Sequence, residues 1–158
     1  MYSWLLFLHI AAVLAFMLVH GVQVSVIWRQ RAESDPQKNL ALFEALPDVN
    51  QLRIAGSAVI ATGLALVVSE SLWGQGWIWL SLVLLGAIWL AMRAYGGAYY
   101  TQIEATATRA IEVDGSPDAA EALEAFARAR LSWHPSGLTI IGLGGLTLIL
   151  WLMTFKPF

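Results

Sequence analysis

Four long apolar stretches, parted by one very short and two longer polar connections, set the pattern of the chain. They cover residues 4–28, 54–72, 77–95 and 137–155, and the first carries no formal charge at all. Glu70 falls near the end of the second stretch and Arg93 at the end of the third. Each is close to the ~20 apolar residues, at ~1.5 Å rise per residue, that cross a bilayer as helix. A helix satisfies its own backbone in lipid, where an open strand cannot. The pattern predicts an all-α polytopic membrane protein: a four-transmembrane-helix bundle forming a single membrane domain over residues 1–158. The first stretch does not read as a cleaved signal. It has no basic leader, it is too long, no small-residue cleavage site follows it, and Trp4 and Trp28 flank it as interfacial anchors.

The basic residues predict the threading. Arg29, Arg31, Lys38 and Arg53 lie in loop 29–53, Arg93, Arg109, Arg128 and Arg130 in or beside loop 96–136, and Lys156 alone on the other side. Eight against one is a positive-inside bias, which places both loops in the cytoplasm and both termini outside a bacterial inner membrane. The remaining turn is Trp73-Gly74-Gln75-Gly76-Trp77, a tight hairpin whose tryptophans suit an aromatic belt.

The loops carry helical patterns of their own. Asp35-Pro36 and Pro47-Asp48 bracket a short helix over 37–46, with Leu40, Leu42, Phe43 and Leu46 on its apolar side. Residues 98–113 extend the third span past Gly96-Gly97, a kink or a close-packing point. A helix follows with Ser116 as N-cap and Pro117 as its first residue, running to about Trp133, where His134-Pro135 stops it. With Ala120, Leu123, Phe126, Ala127 and Leu131 on one face, it reads as an amphipathic helix lying on headgroups or folding under the bundle, with a partner-docking surface as the alternative. Ala55, Ala58, Thr62, Ala65 and Ser69 form a small-residue stripe on the second span, and Gly137, Gly142, Gly144 and Gly145 mark the fourth as close-packing.

Composition agrees and narrows the function. Hydrophobic residues make up 58% and charged residues 13%, mean hydropathy is +0.65, and there is no cysteine. That excludes a disordered chain, a nucleic-acid binder and a disulfide scaffold. A net charge of −2 points to no electrostatic partner. The spans hold no paired carboxylates, and the chain has no nucleophile elbow and no phosphate-binding loop.

The histidines are what remains as candidate chemistry. His9 and His20 are eleven residues apart on the first span, so they share one face, ~16 Å apart along the axis, with Phe16 and Gln23 on the same stripe. His134 precedes the fourth span. Imidazole in a span faces a bundle interior and ligates metals well. His9 and His20 are therefore candidate cofactor ligands, and all three histidines candidate metal ligands, with haem b or copper as the cofactor. Met17, Met92 and Met153 are possible axial ligands. The alternative is that the histidines are structural, hydrogen-bonded to a serine, threonine or carbonyl of a neighbouring helix, with Thr62 or Ser69 as partners.

The run from Trp4 to His9, His20-Gly21, and the loop from Arg29 to Asp35-Pro36 resemble a group of small bacterial four-helix membrane proteins. That group is distantly similar to the membrane domain of copper-resistance D-type proteins and to the membrane-bound protoporphyrinogen oxidase. The resemblance covers about a fifth of the chain and implies haem or copper. The chain departs from the copper-resistance pattern at Ala15-Phe16-Met17-Leu18, where Trp-x-Gly-Gly is common. The expected function is a non-catalytic subunit or haem- or metal-binding component of a membrane electron-transfer assembly, embedded in lipid as a homo-oligomer or part of a larger complex. A small metal or solute transporter and a porphyrin-oxidase-type enzyme are the alternatives.

Overall fold

The computed structural model describes residues 1–157, the side chain of Val49 excepted; Phe158, the last residue of the expected domain, lies outside them. Seven α-helices follow in order: α1 Tyr2–Ala32, α2 Pro36–Ala41, α3 Val49–Ser69, α4 Gly76–Glu112, α5 Ala119–Arg130, α6 His134–Thr139 and α7 Gly145–Phe155. Short 3₁₀ turns lie at Leu42–Ala45 and Leu72–Gly74, and a π-helical turn, Ile140–Gly144, joins α6 to α7. No strand occurs among the described residues. Four helical runs are long and apolar enough to cross a membrane: α1, α3, α4, and the run made by α6, the π turn and α7 together with α5. This is the all-α four-helix architecture that the hydropathy pattern predicts.

Local chemistry sets the element ends. Pro36 occupies the first turn of α2, and the Asp35 carboxylate accepts the Gln37 and Lys38 amides at 2.9 and 3.3 Å. Asp48 caps α3 by accepting the Asn50 amide at 3.0 Å. The glycine pair 96–97 does not interrupt α4, which runs unbroken for 37 residues. Gly96 is instead a packing point, where an added methyl would lie 3.5 Å from Leu138.

Two expected boundaries shift. The helix before the fourth span begins at Ala119, with Asp118 in the cap position, and ends at Arg130. Ser116 still accepts the Asp118 amide, at 3.2 Å. The break comes at residues 131–133, and His134-Pro135 opens α6, because proline is accommodated in a first helical turn where its missing N–H has no partner to lose. At the short hairpin, Trp73 is exposed, as a belt residue would be, but Trp77 is buried, with the Lys156 ammonium 5.7 Å from its ring centre.

The best-buried core lies beyond the bilayer-length part of the bundle. Ile27, Tyr99, Ile103, Ala107, Phe126, Ala129 and Leu138 form one cluster, with Leu40 and Phe43 packed on it. The extension of α4 is thus clasped by α2 on one side and by α5 on the other. Of the two readings for the amphipathic loop helix, this is the folded-under one. The C-terminal end of α1 is also tied in. Asn39, fully buried, donates to the carbonyls of Gln30 and Glu33 at 2.7 and 3.1 Å, and Arg130 donates to that of Arg31 at 2.8 Å. These are carbonyls that the last turn of a helix leaves without an intrahelical donor.

Phe126 is 1% exposed and Leu123, on the same helix, 45%. Phe126→Ala is expected to cost about 3–5 kcal/mol and Leu123→Ala well under 1 kcal/mol, measured by thermal or denaturant unfolding in detergent. Equal losses would contradict the folded-under placement of α5.

Candidate functional site

Span α1 is apolar all round, so its orientation is set by which residues its neighbours can admit. On α3, Gly56 and Gly63 stand seven residues apart, as do His9 and Phe16 on α1. A methyl on Gly63 would lie 3.1 Å from His9 Cε1, and one on Gly56 3.7 Å from Phe16 Cε2. The two helices run antiparallel, with each glycine receiving a ring. His9 is then positioned to bond: its Nδ1 lies 3.0 Å from Thr62 Oγ1. The Thr62 hydroxyl has one proton, and that proton is directed to the Ala58 carbonyl at 2.6 Å. Thr62 Oγ1 is therefore the acceptor and His9 Nδ1–H the donor, which fixes the imidazole tautomer.

His20 faces the fourth span and is 5% exposed. Its ring is parallel to that of Phe16, with centroids 6.1 Å apart. A methyl on Gly142 would lie 2.5 Å from His20 Nε2, 2.9 Å from Cε1 and 3.7 Å from Met92 Cε. Gly142 belongs to the π-helical turn, a local widening that is frequent where a helix must accommodate something. Nε2 is buried with no hydrogen-bond partner. Of the expected axial methionines, Met92 approaches the same Gly142 as His20, and Met153 packs near Trp77 and Ile78.

His134 stands apart from both. Its Nδ1 is 3.1 Å from Ser132 Oγ, and its ring lies against Tyr95 and Tyr99 with centroids at 4.8 and 6.0 Å. Eight residues of the fourth helical run separate it from Gly142, ~12 Å along the axis. The three histidines therefore occupy three depths, and the structure brings no two of them together. Among the described residues no group of three His, Asp or Glu side chains could hold a metal ion.

The packing does not fit haem within one chain. His9 has its Nδ1 bonded to Thr62 and its ring against Gly63, and the free nitrogen of His20 abuts backbone at Gly142, leaving no gap for a macrocycle. For copper, the site offers one imidazole nitrogen with one thioether nearby. What His9 and His20 do share is a packing role: each sits where a glycine lets two helices approach.

Several of these residues were not singled out by sequence. The small-residue stripe read on the second span included Thr62 but missed Gly56 and Gly63. Asn39 and Arg130, which hold the end of α1, carry no motif. Fully buried Gln30, Asn39 and Tyr99 cluster near that end, with the Gln30 amide, Asn39 Oδ1 and the Tyr99 hydroxyl lacking partners.

Comparison with protein-family models, with curated proteins and with solved structures finds no match.

Gly142→Ala is expected to destabilise the bundle by about 1–3 kcal/mol through overpacking against His20. In a His20→Ala background the same change should cost much less, as a double-mutant cycle in detergent unfolding would show. Additive losses would contradict the contact. Thr62→Val should cost about 0.6–1.7 kcal/mol, the range of one interhelical hydrogen bond in a membrane bundle.

Proposed function

We propose that the chain is a non-catalytic integral-membrane subunit of a bacterial inner membrane, both termini outside, whose histidines lock its helices together. One observation carries this: the three histidines lie at three depths, each engaged with neighbours of its own chain, and they converge on no common point. Catalysis or cofactor ligation in a bundle needs polar groups from facing helices aimed at one volume. Support for the subunit role comes from the outer faces. Leu18, Ile54 and Val83 are 74%, 70% and 67% exposed, an apolar surface fit for lipid and for other membrane helices. Assembly with further copies or with a larger electron-transfer complex belongs to this proposal and rests on the resemblance over residues 4–36. The orientation rests on the eight-to-one charge asymmetry.

Two measurements test it. The purified protein should be colourless in the visible and hold only substoichiometric iron and copper. A Soret band or stoichiometric metal that disappears in His20→Ala while the protein stays folded would overturn the structural role. For orientation, cysteines at Arg31, Arg109 and Lys156 in the cysteine-free chain should react with an impermeant thiol reagent on intact cells at position 156 alone. Labelling at 31 but not at 156 would reverse the threading.

A further inference from the structure

Arg31 and Arg130 form a pair of cations without a counter-charge. Arg130 Nη1 donates to the Arg31 carbonyl at 2.8 Å, and Arg31 Nη1 donates to the Ser132 carbonyl at 2.6 Å. These reciprocal backbone bonds hold the two residues, both only partly exposed, side by side at the junction of α1 with the α5–α6 break. Among the described residues neither guanidinium has a carboxylate within ion-pair distance; the ion pairs are Lys38–Asp35, Arg109–Asp118 and Arg128–Glu124. The nearby Glu33 carboxylate is directed to the Asp35 amide at 2.9 Å. Arg130 Nε is buried with no partner. A guanidinium offers five N–H donors, so each keeps most of its capacity unused. Partly desolvated like charges held together favour an anion strongly, and planar forks match phosphate oxygens.

The depth of the pair says which anion. The Arg31 guanidinium lies 5.8 Å from the centre of the Trp28 ring; Trp28, three residues before Arg31, is 43% exposed, and Trp133, three residues after Arg130, is 63% exposed. Exposed tryptophans at the ends of spans mark the headgroup level of a bilayer. We propose that Arg31 and Arg130 form a binding site for the phosphate of an anionic phospholipid, between the end of α1 and the start of the fourth span. The bound phosphate supplies the missing counter-charge and pins α5 and α6 against α1. Basic pockets between membrane helices hold anionic headgroups by the same chemistry.

The test uses the full chain, purified in neutral detergent and delipidated, titrated with short-chain phosphatidylglycerol, phosphatidylcholine or inorganic phosphate, with binding read from thermal stabilisation. Phosphatidylglycerol is expected to bind roughly 25-fold tighter than phosphatidylcholine, about fivefold for each arginine. Arg31→Gln and Arg130→Gln should each remove about fivefold of that preference, whereas Arg128→Gln, which alters an exposed ion-paired arginine, should remove none. Should the glutamine variants not fold, Arg31→Lys and Arg130→Lys keep the charge without the planar fork and should weaken the preference while retaining part of it. No preference in the wild type, an unchanged preference in the Arg31 and Arg130 variants, or a loss as large in Arg128→Gln would overturn the site. Inorganic phosphate binding as tightly as phosphatidylglycerol would overturn its assignment to lipid.

Discussion

Between helices already immersed in lipid, burying an apolar side chain gains little, because the acyl chains are as apolar as leucine. Close approach and interhelical hydrogen bonds must do the work instead. In this chain that constraint is met by rings set against glycines. His9 and Phe16 of α1 lie on Gly63 and Gly56 of α3, and His20 lies on Gly142 of the π-helical turn. Ile88 of α4 meets Gly145 in the same way, where a methyl would sit 2.5 Å from the isoleucine side chain. The imidazoles add what phenylalanine cannot, a directed bond such as that of His9 to Thr62. A polar ring in a span is costly, and for His9 that cost is offset by a partner and a close fit together.

At the loop end the physics changes. There α2, α5 and the extension of α4 stand outside the bilayer-length part of the bundle, so ordinary hydrophobic burial applies, and the fully buried Tyr99, Ile103 and Ala107 collect around it. The carbonyls that end α1 are the polar counterpart of that core. Asn39 and Arg130 satisfy them and so connect two loop helices to the first span. The spans and the loop-end helices are in this way one body.

Much of this was legible in the sequence because charge-free runs of bilayer length have few other readings. The apolar face of α5 was legible only in part. Of Ala120, Leu123, Phe126, Ala127 and Leu131, which the spacing places on one face, only Phe126 is buried, with Ala122 and Ala129 beside it, while Leu123 and Leu131 are exposed. Short alanines and long leucines alternate around this helix, and packing on α4 selected the close-fitting side. Helix orientation was not legible. Spans that are apolar all round have no polar face to exclude, so periodicity could not say that Gly56 and Gly63, one position beside residues of the predicted stripe, make the contact. His134-Pro135 read as a stop because proline ends a helix as often as it opens one. The π-helical turn has no sequence signature at all. The histidines drew notice as ligands because imidazole serves coordination and hydrogen bonding equally, and only depth and partners distinguish the two.

The histidine stripe of α1 packs on α3 of its own chain, in the register that pairs His9 with Gly63 and Phe16 with Gly56. The same register pairs Val13 with Val59, both partly exposed on the facing stripes. The chain has no cysteine, so Val13→Cys with Val59→Cys introduces the only two thiols. Treated in native membranes with a short bifunctional thiol reagent, this variant is predicted to cross-link within a single chain and run at monomer mass. Cross-linking between two chains, or none while both thiols remain reactive, would contradict the packing of α1 on its own chain.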